Sequence, residues 1–153
     1  MRMAGSATHP PRTLWVRGLL PSAPVRLLAL VALCGAYLQG GLVKAFDLAG
    51  AQAEMAHFGL TPALPFALAV IALELGASAM ILSGRGRWLG ALALAGFTVL
   101  AALLANRFWA LPLGPEKSAS ANAFFEHLGL AGAFVLVAAS DLASGGAGRE
   151  HGS

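Results

Sequence analysis

Of the 153 residues in the chain, 58% are hydrophobic and 11% charged, and the mean hydropathy is +0.73. Soluble domains carry roughly 25% charged residues, so a water-soluble globular domain is excluded, and 15.5 kDa leaves room for one helical bundle without a separate catalytic domain. The net charge of +3 comes from ten Lys and Arg that form no run and do not alternate with aromatic residues, which argues against nucleic acid as a partner.

Residues 1 to 24 contain Pro10, Pro11, Pro21 and Pro24 among Ser, Thr and Arg. Such a mixture buries too little surface to order itself and is expected to form a flexible basic arm, with Trp15 able to touch the membrane surface. Four apolar stretches follow, at 27–46, 63–83, 88–106 and 124–143. Each approaches the roughly 20 residues needed to cross hydrocarbon as a helix. None alternates with period 2, so helices rather than barrel strands are expected. The fold class predicted is all-α: a membrane-embedded four-helix bundle with a short interfacial helix after the first span. Residues 25–143 form this domain, and 144–153 form a flexible tail.

The first stretch follows basic residues, as a signal peptide would, but it is longer than a secretory apolar core and no A-x-A-like site precedes Asp47. A retained signal-anchor helix is expected. Cys34 has no second cysteine to pair with and reads as a small buried side chain. Between the first two spans, Leu48, Ala51, Met55 and Phe58 recur at helical spacing, with Gln52, Glu54 and His57 facing elsewhere. Asp47 suits the N-cap, and Gly59-Leu60 suits the C-terminal stop. A short helix along the interface is predicted there.

The third stretch carries no ionisable group and presents Ala91, Ala95, Thr98, Ala102 and Ala105 as a packing seam. Gly35, Gly40, Gly41, Gly129 and Gly132 are expected to serve close packing on spans one and four. Trp88 and Trp109 bracket span three as interfacial anchors. Residues 107–122 read as an irregular connection. Arg2, Arg12, Arg17, Arg26, Arg85, Arg87 and Arg149 lie on one side of the four spans, against Arg107 and Lys117 on the other. Seven against two places both termini in the cytoplasm.

Function then rests on the few polar residues within the membrane. Glu74 sits near the middle of span two, where an ionised carboxylate costs at least about 2.5 kcal/mol, so it must be paired, hydrogen-bonded or protonated. Its role is functional, or it is a neutral acid that ties helices together. Cys34, Tyr37, Gly41 and Lys44 share one face of span one. Tyr37 matches the depth of Glu74 and is the expected hydrogen-bond partner. Lys44 is placed too far outward for an obvious salt bridge, leaving a marginal contact or snorkelling to the interface. Asp47, Asn106, Arg107, Glu126 and His127 gather with Lys44 at the outer ends, either neutralising one another or forming a pocket for an anion, a lipid headgroup or a quinone. The histidines lack metal-ligand spacing, so no metal site is expected.

Arg26-Leu27-Leu28, Gly41-x-x-Lys44, Phe58-Gly59-Leu60-x-Pro62, Glu74-Leu75-Gly76, Gly84 with basic residues after it, and Phe125-x-His127-Leu128-x-Leu130-x-Gly132 occur in that order. From Arg26 to Ala143 the chain resembles the DoxX family of small four-helix membrane proteins. It departs from the commoner pattern at Asn106, where His often stands, and at His127, where many members have Asn. The resemblance implies a membrane subunit of a redox system in the inner membrane of a bacterium, linked to quinone and to sulfur or thiol oxidation and working with a partner redox protein or a second copy of itself. Lys44, Arg107, Glu126 and His127 would then hold a quinone headgroup or small anion, with Glu74 and Tyr37 handling protons. A non-enzymatic scaffold or assembly subunit, or a small transporter or lipid-binding protein, is the alternative.

Overall fold

The computed structural model describes residues 22–147, with side chains described through residue 144. Most of the expected arm, and residues 148–153 of the expected tail, lie outside the described residues. Five α-helices and one short 3-10 turn account for nearly all of the rest: α1 Ala23–Phe46, α2 Leu48–His57, α3 Ala63–Ser83, α4 Arg87–Ala105, the turn Phe108–Ala110, and α5 Pro115–Ala147. All but α2 are long and apolar enough to cross a bilayer. The predicted all-α bundle is the fold observed.

Helix α2 closes one end of the bundle, here called the roofed end. Asp47 caps it, accepting from Gly50 N at 2.9 Å. At the other terminus Gly59 takes a left-handed φ of 74°. Its N–H donates to Ala56 O, and Leu60 N–H donates to Met55 O. Those two bonds make the Schellman stop, and its apolar contact is supplied by Leu60, which packs on the buried pair Ala51 and Met55 with Ala67 of α3.

In the bundle, α3 packs between α1 and α4, and α5 packs along α4. The core is built at helical spacing from Leu30, Cys34 and Tyr37 of α1, Ala77 and Ile81 of α3, Ala91, Leu94 and Ala95 of α4, and Ala131, Phe134 and Ala138 of α5. The small-residue seam of α4 runs as expected through Ala91, Ala95, Thr98 and Ala102, joined by Gly90, while Ala105 is exposed. At Gly90 the backbones come so close that an added Cβ would lie 2.7 Å from Ala77 O, and at Gly41 it would lie 2.8 Å from Leu75 Cδ2. Gly35, Gly129 and Gly132 have open space where a Cβ would stand, so the expected packing role does not extend to them. They lie off the buried faces of their helices.

Opposite the roof, Gly84 and Gly86 turn the chain at φ 78° and 65°. Asp141 of α5 fastens this turn by accepting from Trp88 N at 3.2 Å, within the first turn of α4, and from Arg87 Nη1 at 3.5 Å. Arg87 Nε also donates to Ile81 O at 2.9 Å, covering a carbonyl left open at the end of α3.

The expected irregular stretch 107–122 is largely ordered. Pro115 occupies the first position of α5, where its missing N–H is harmless. From there α5 runs 33 residues rather than beginning at 124. It also continues to Ala147, past the expected boundary at 143. Phe108 and Trp109 meet Phe124 edge to face at centroid distances of 5.5 and 5.7 Å, which pins the turn against α5.

Candidate functional site

Two polar groups stand at the roofed end where the sequence suggested one. The first lies where α1, α2 and α3 meet. Glu74, on the face of α3 turned into the bundle, is only 5% exposed. Lys44 Nζ reaches to 3.5 Å from Glu74 Oε2 and 3.9 Å from an oxygen of Glu54 on α2. The lysine leans back along α1 and the glutamate back along the antiparallel α3, so two long side chains close a gap that backbone depth alone would leave open. Gly40 lies beside the pair: a Cβ there would stand 3.4 Å from the ammonium and 3.6 Å from both carboxylate oxygens, in ordinary contact.

This corrects the expected pairing of Glu74 with Tyr37. Thr98 Oγ1 spends its proton on Leu94 O at 2.5 Å, so Tyr37 Oη donates to Thr98. The Tyr37 ring packs edge to face on Phe134 at 5.3 Å and on Phe97 at 6.4 Å. Beneath them Cys34 and Ser78 are fully buried neighbours. The expectation of a buried cysteine holds.

The second group lines a cleft of about 750 Å³ bounded by the end of α2, the end of α4 and the start of α5. Its polar members are His57, Asn106, Arg107, Glu116 and Ser120, and Phe58, Leu104 and Leu111 contribute apolar wall. Arg107 is exposed, and its guanidinium has no partner among the described residues. The aromatic pinning of the 108–110 turn fixes where it emerges. Glu54 and His57 lie one turn apart on α2, so a single short helix borders both polar groups.

The remaining candidates do not join either group. Glu126 is exposed and belongs to no ion pair among the described residues, and His127 Nδ1 lies 2.7 Å from Ala123 O on its own helix. Asp47 is occupied as the α2 cap. Among the described residues, no three of His, Cys, Asp and Glu converge as metal ligands would. Glu54, Thr98 and Glu116 were not singled out from sequence. In the sequence Thr98 reads only as packing, and Glu54 lies off the apolar face of α2.

A model of the DoxX family matches residues 25–107. That is more than half of the chain. The chain belongs to the DoxX family. It is therefore an integral membrane protein, and three of its four apolar helices lie in the matched segment. The matched segment contains Tyr37, Lys44, Glu74 and Arg107 and ends before α5, so Glu126 and His127 fall outside it. No curated protein and no solved structure matches the chain.

Proposed function

We propose that this DoxX protein is the membrane component of a redox system in a bacterial inner membrane, and that the cleft beside Arg107 holds the headgroup of a quinone. The observation carrying this reading is an exposed arginine that lines a cleft with an apolar wall and makes no ion pair among the described residues, although Glu116 lines the same cleft. A quinone offers two carbonyl oxygens on an apolar ring. Arg107 and Asn106 supply donors for those oxygens, His57 stands beside them, and Phe58, Leu104 and Leu111 supply the slot. A small anion fits the same donors and competes for them.

Reduction of the bound quinone to the quinol takes two electrons and two protons. The electrons come from a partner protein that oxidises a sulfur or thiol substrate. The chain contributes the headgroup site and, in Lys44 between Glu54 and Glu74, a proton-holding group under the roof. The charge bias of the connections supports a roofed end outside and both termini in the cytoplasm. Tyr37 and Glu126, with their hydroxyl bonded elsewhere and their carboxylate outside the cleft, have no direct part in it.

The test is binding of a short-chain benzoquinone to the purified protein in liposomes. Wild type and Glu126→Gln should bind alike, whereas Arg107→Gln should weaken binding at least about tenfold, as expected for loss of a charge-assisted hydrogen bond. Equal binding by Arg107→Gln removes the site. Full quinone-dependent turnover by both Lys44→Ala and Glu74→Gln, with a sulfur- or thiol-oxidising partner supplying the electrons, removes the proton-handling role.

A further inference from the structure

Gln39 is a residue whose chemistry conflicts with its place. At 100° per residue it lies opposite the buried face of α1 formed by Leu30, Cys34, Tyr37 and Gly41, and its side chain is exposed. Gly41 abuts Leu75 on the antiparallel α3. Two residues further toward the turn end, Gln39 is therefore level with Ala77, about 6 Å from the midpoint of α3. Neither headgroup zone is within reach of so short a side chain. Its carboxamide has no partner among the described residues. Ser140, also exposed on a spanning helix, answers the same problem by donating to Leu136 O at 2.8 Å.

We infer that α1 is a homodimer interface centred on Gln39. A carboxamide carries two donors and one acceptor group, so it is complementary to a second carboxamide. Two copies inserted the same way can be related by a two-fold axis along the membrane normal, and only then do identical residues meet at identical depth. The Gln39 side chains then donate to and accept from each other, removing the unsatisfied polar groups from lipid. The flanking residues allow the approach. Ala32, Ala36, Gln39 and Val43 are all exposed, recur at intervals of four, three and four, and are small apart from Gln39 and Val43. That spacing suits a left-handed crossing of parallel helices, and alanines let backbones draw close.

The experiment is oxidative cross-linking of the full chain in liposomes, in a Cys34→Ala background with a single cysteine at Ala36. A disulfide dimer is expected from Ala36→Cys, and none from Leu100→Cys on the lipid face of α4, where Leu100 is 60% exposed. Adding Gln39→Leu should lower the dimer fraction at least about fivefold, and Gln39→Asn should restore part of it. Because an exposed Gln→Leu change suits lipid, insertion is preserved and the readout reports association. Equal cross-linking at Ala36 and Leu100, or an unchanged dimer after Gln39→Leu, overturns the inference. Cross-linking of Ala36→Cys to a different protein in native membranes, with no dimer in liposomes, also overturns it.

Discussion

Lys44 Nζ stands 3.5 Å from Glu74 Oε2, with Gly40 lying beside the pair. The side chains are 15% and 7% exposed, so the charges sit largely out of water. Removing one leaves the other uncompensated, which costs about 3–5 kcal/mol, whereas removing both leaves no stranded charge. Lys44→Met should therefore lower the unfolding midpoint in detergent sharply, and Lys44→Met with Glu74→Leu should recover most of the loss. A double variant as unstable as the single one would show that the two side chains act independently.

Glycines on one helix should respond differently to the same substitution. Gly90→Ala places a methyl 2.7 Å from the Ala77 carbonyl, which cannot move aside, whereas Gly96→Ala projects into open space. The first should destabilise by about 1–3 kcal/mol through overpacking. The second should be neutral or stabilise by up to about 1 kcal/mol, from the helix preference of alanine. Thermal unfolding of the two variants in one detergent decides it, and a similar loss in both contradicts the packing described for α4.

Asp141 combines a helix cap with an ion pair. Asp141→Ala removes both and should cost about 1–2 kcal/mol. Asp141→Asn keeps an oxygen for Trp88 N–H but gives up the charge facing Arg87, so it should fall between wild type and alanine. Proteolysis at the 84–86 turn offers a second readout: cleavage should be fastest in the alanine variant and slowest in wild type.

Tyr37→Phe keeps both ring contacts and loses only the hydroxyl that donates to Thr98. A loss of about 1 kcal/mol is expected, and it should vanish when Thr98 is already valine. Persistence of the full effect in the Thr98→Val background would mean that the phenol bonds elsewhere.

The apolar spans made the bundle legible, because a lipid-spanning helix must announce itself over some twenty consecutive residues. Asp47 and Gly59-Leu60 made α2 legible for a local reason, since caps and stops are set by neighbouring residues. The site was harder. Lys44, Glu74 and Arg107 stood out as ions in or beside apolar sequence, but their partners depend on rotation and side-chain reach. Depth alone pairs Tyr37 with Glu74, whereas the hydroxyl that competes for it belongs to Thr98, 61 residues along the chain, and is brought near only by helix packing. The early start of α5 was obscured because 115–123 is polar, and only the aromatic contacts of Phe108 and Trp109 show why it stays helical. Gln39 is hidden from such a reading because it is neither charged nor on the polar stripe of α1.

At 33 residues, α5 is about 50 Å long, whereas hydrocarbon is about 30 Å thick. Tilt absorbs only part of that excess. Its first two turns, carrying Glu116 and Lys117, must stand clear of the bilayer like a post beside the cleft. Glu116 on this post also lines the cleft beside Arg107, so whatever occupies that cleft does so at the water side of the hydrocarbon.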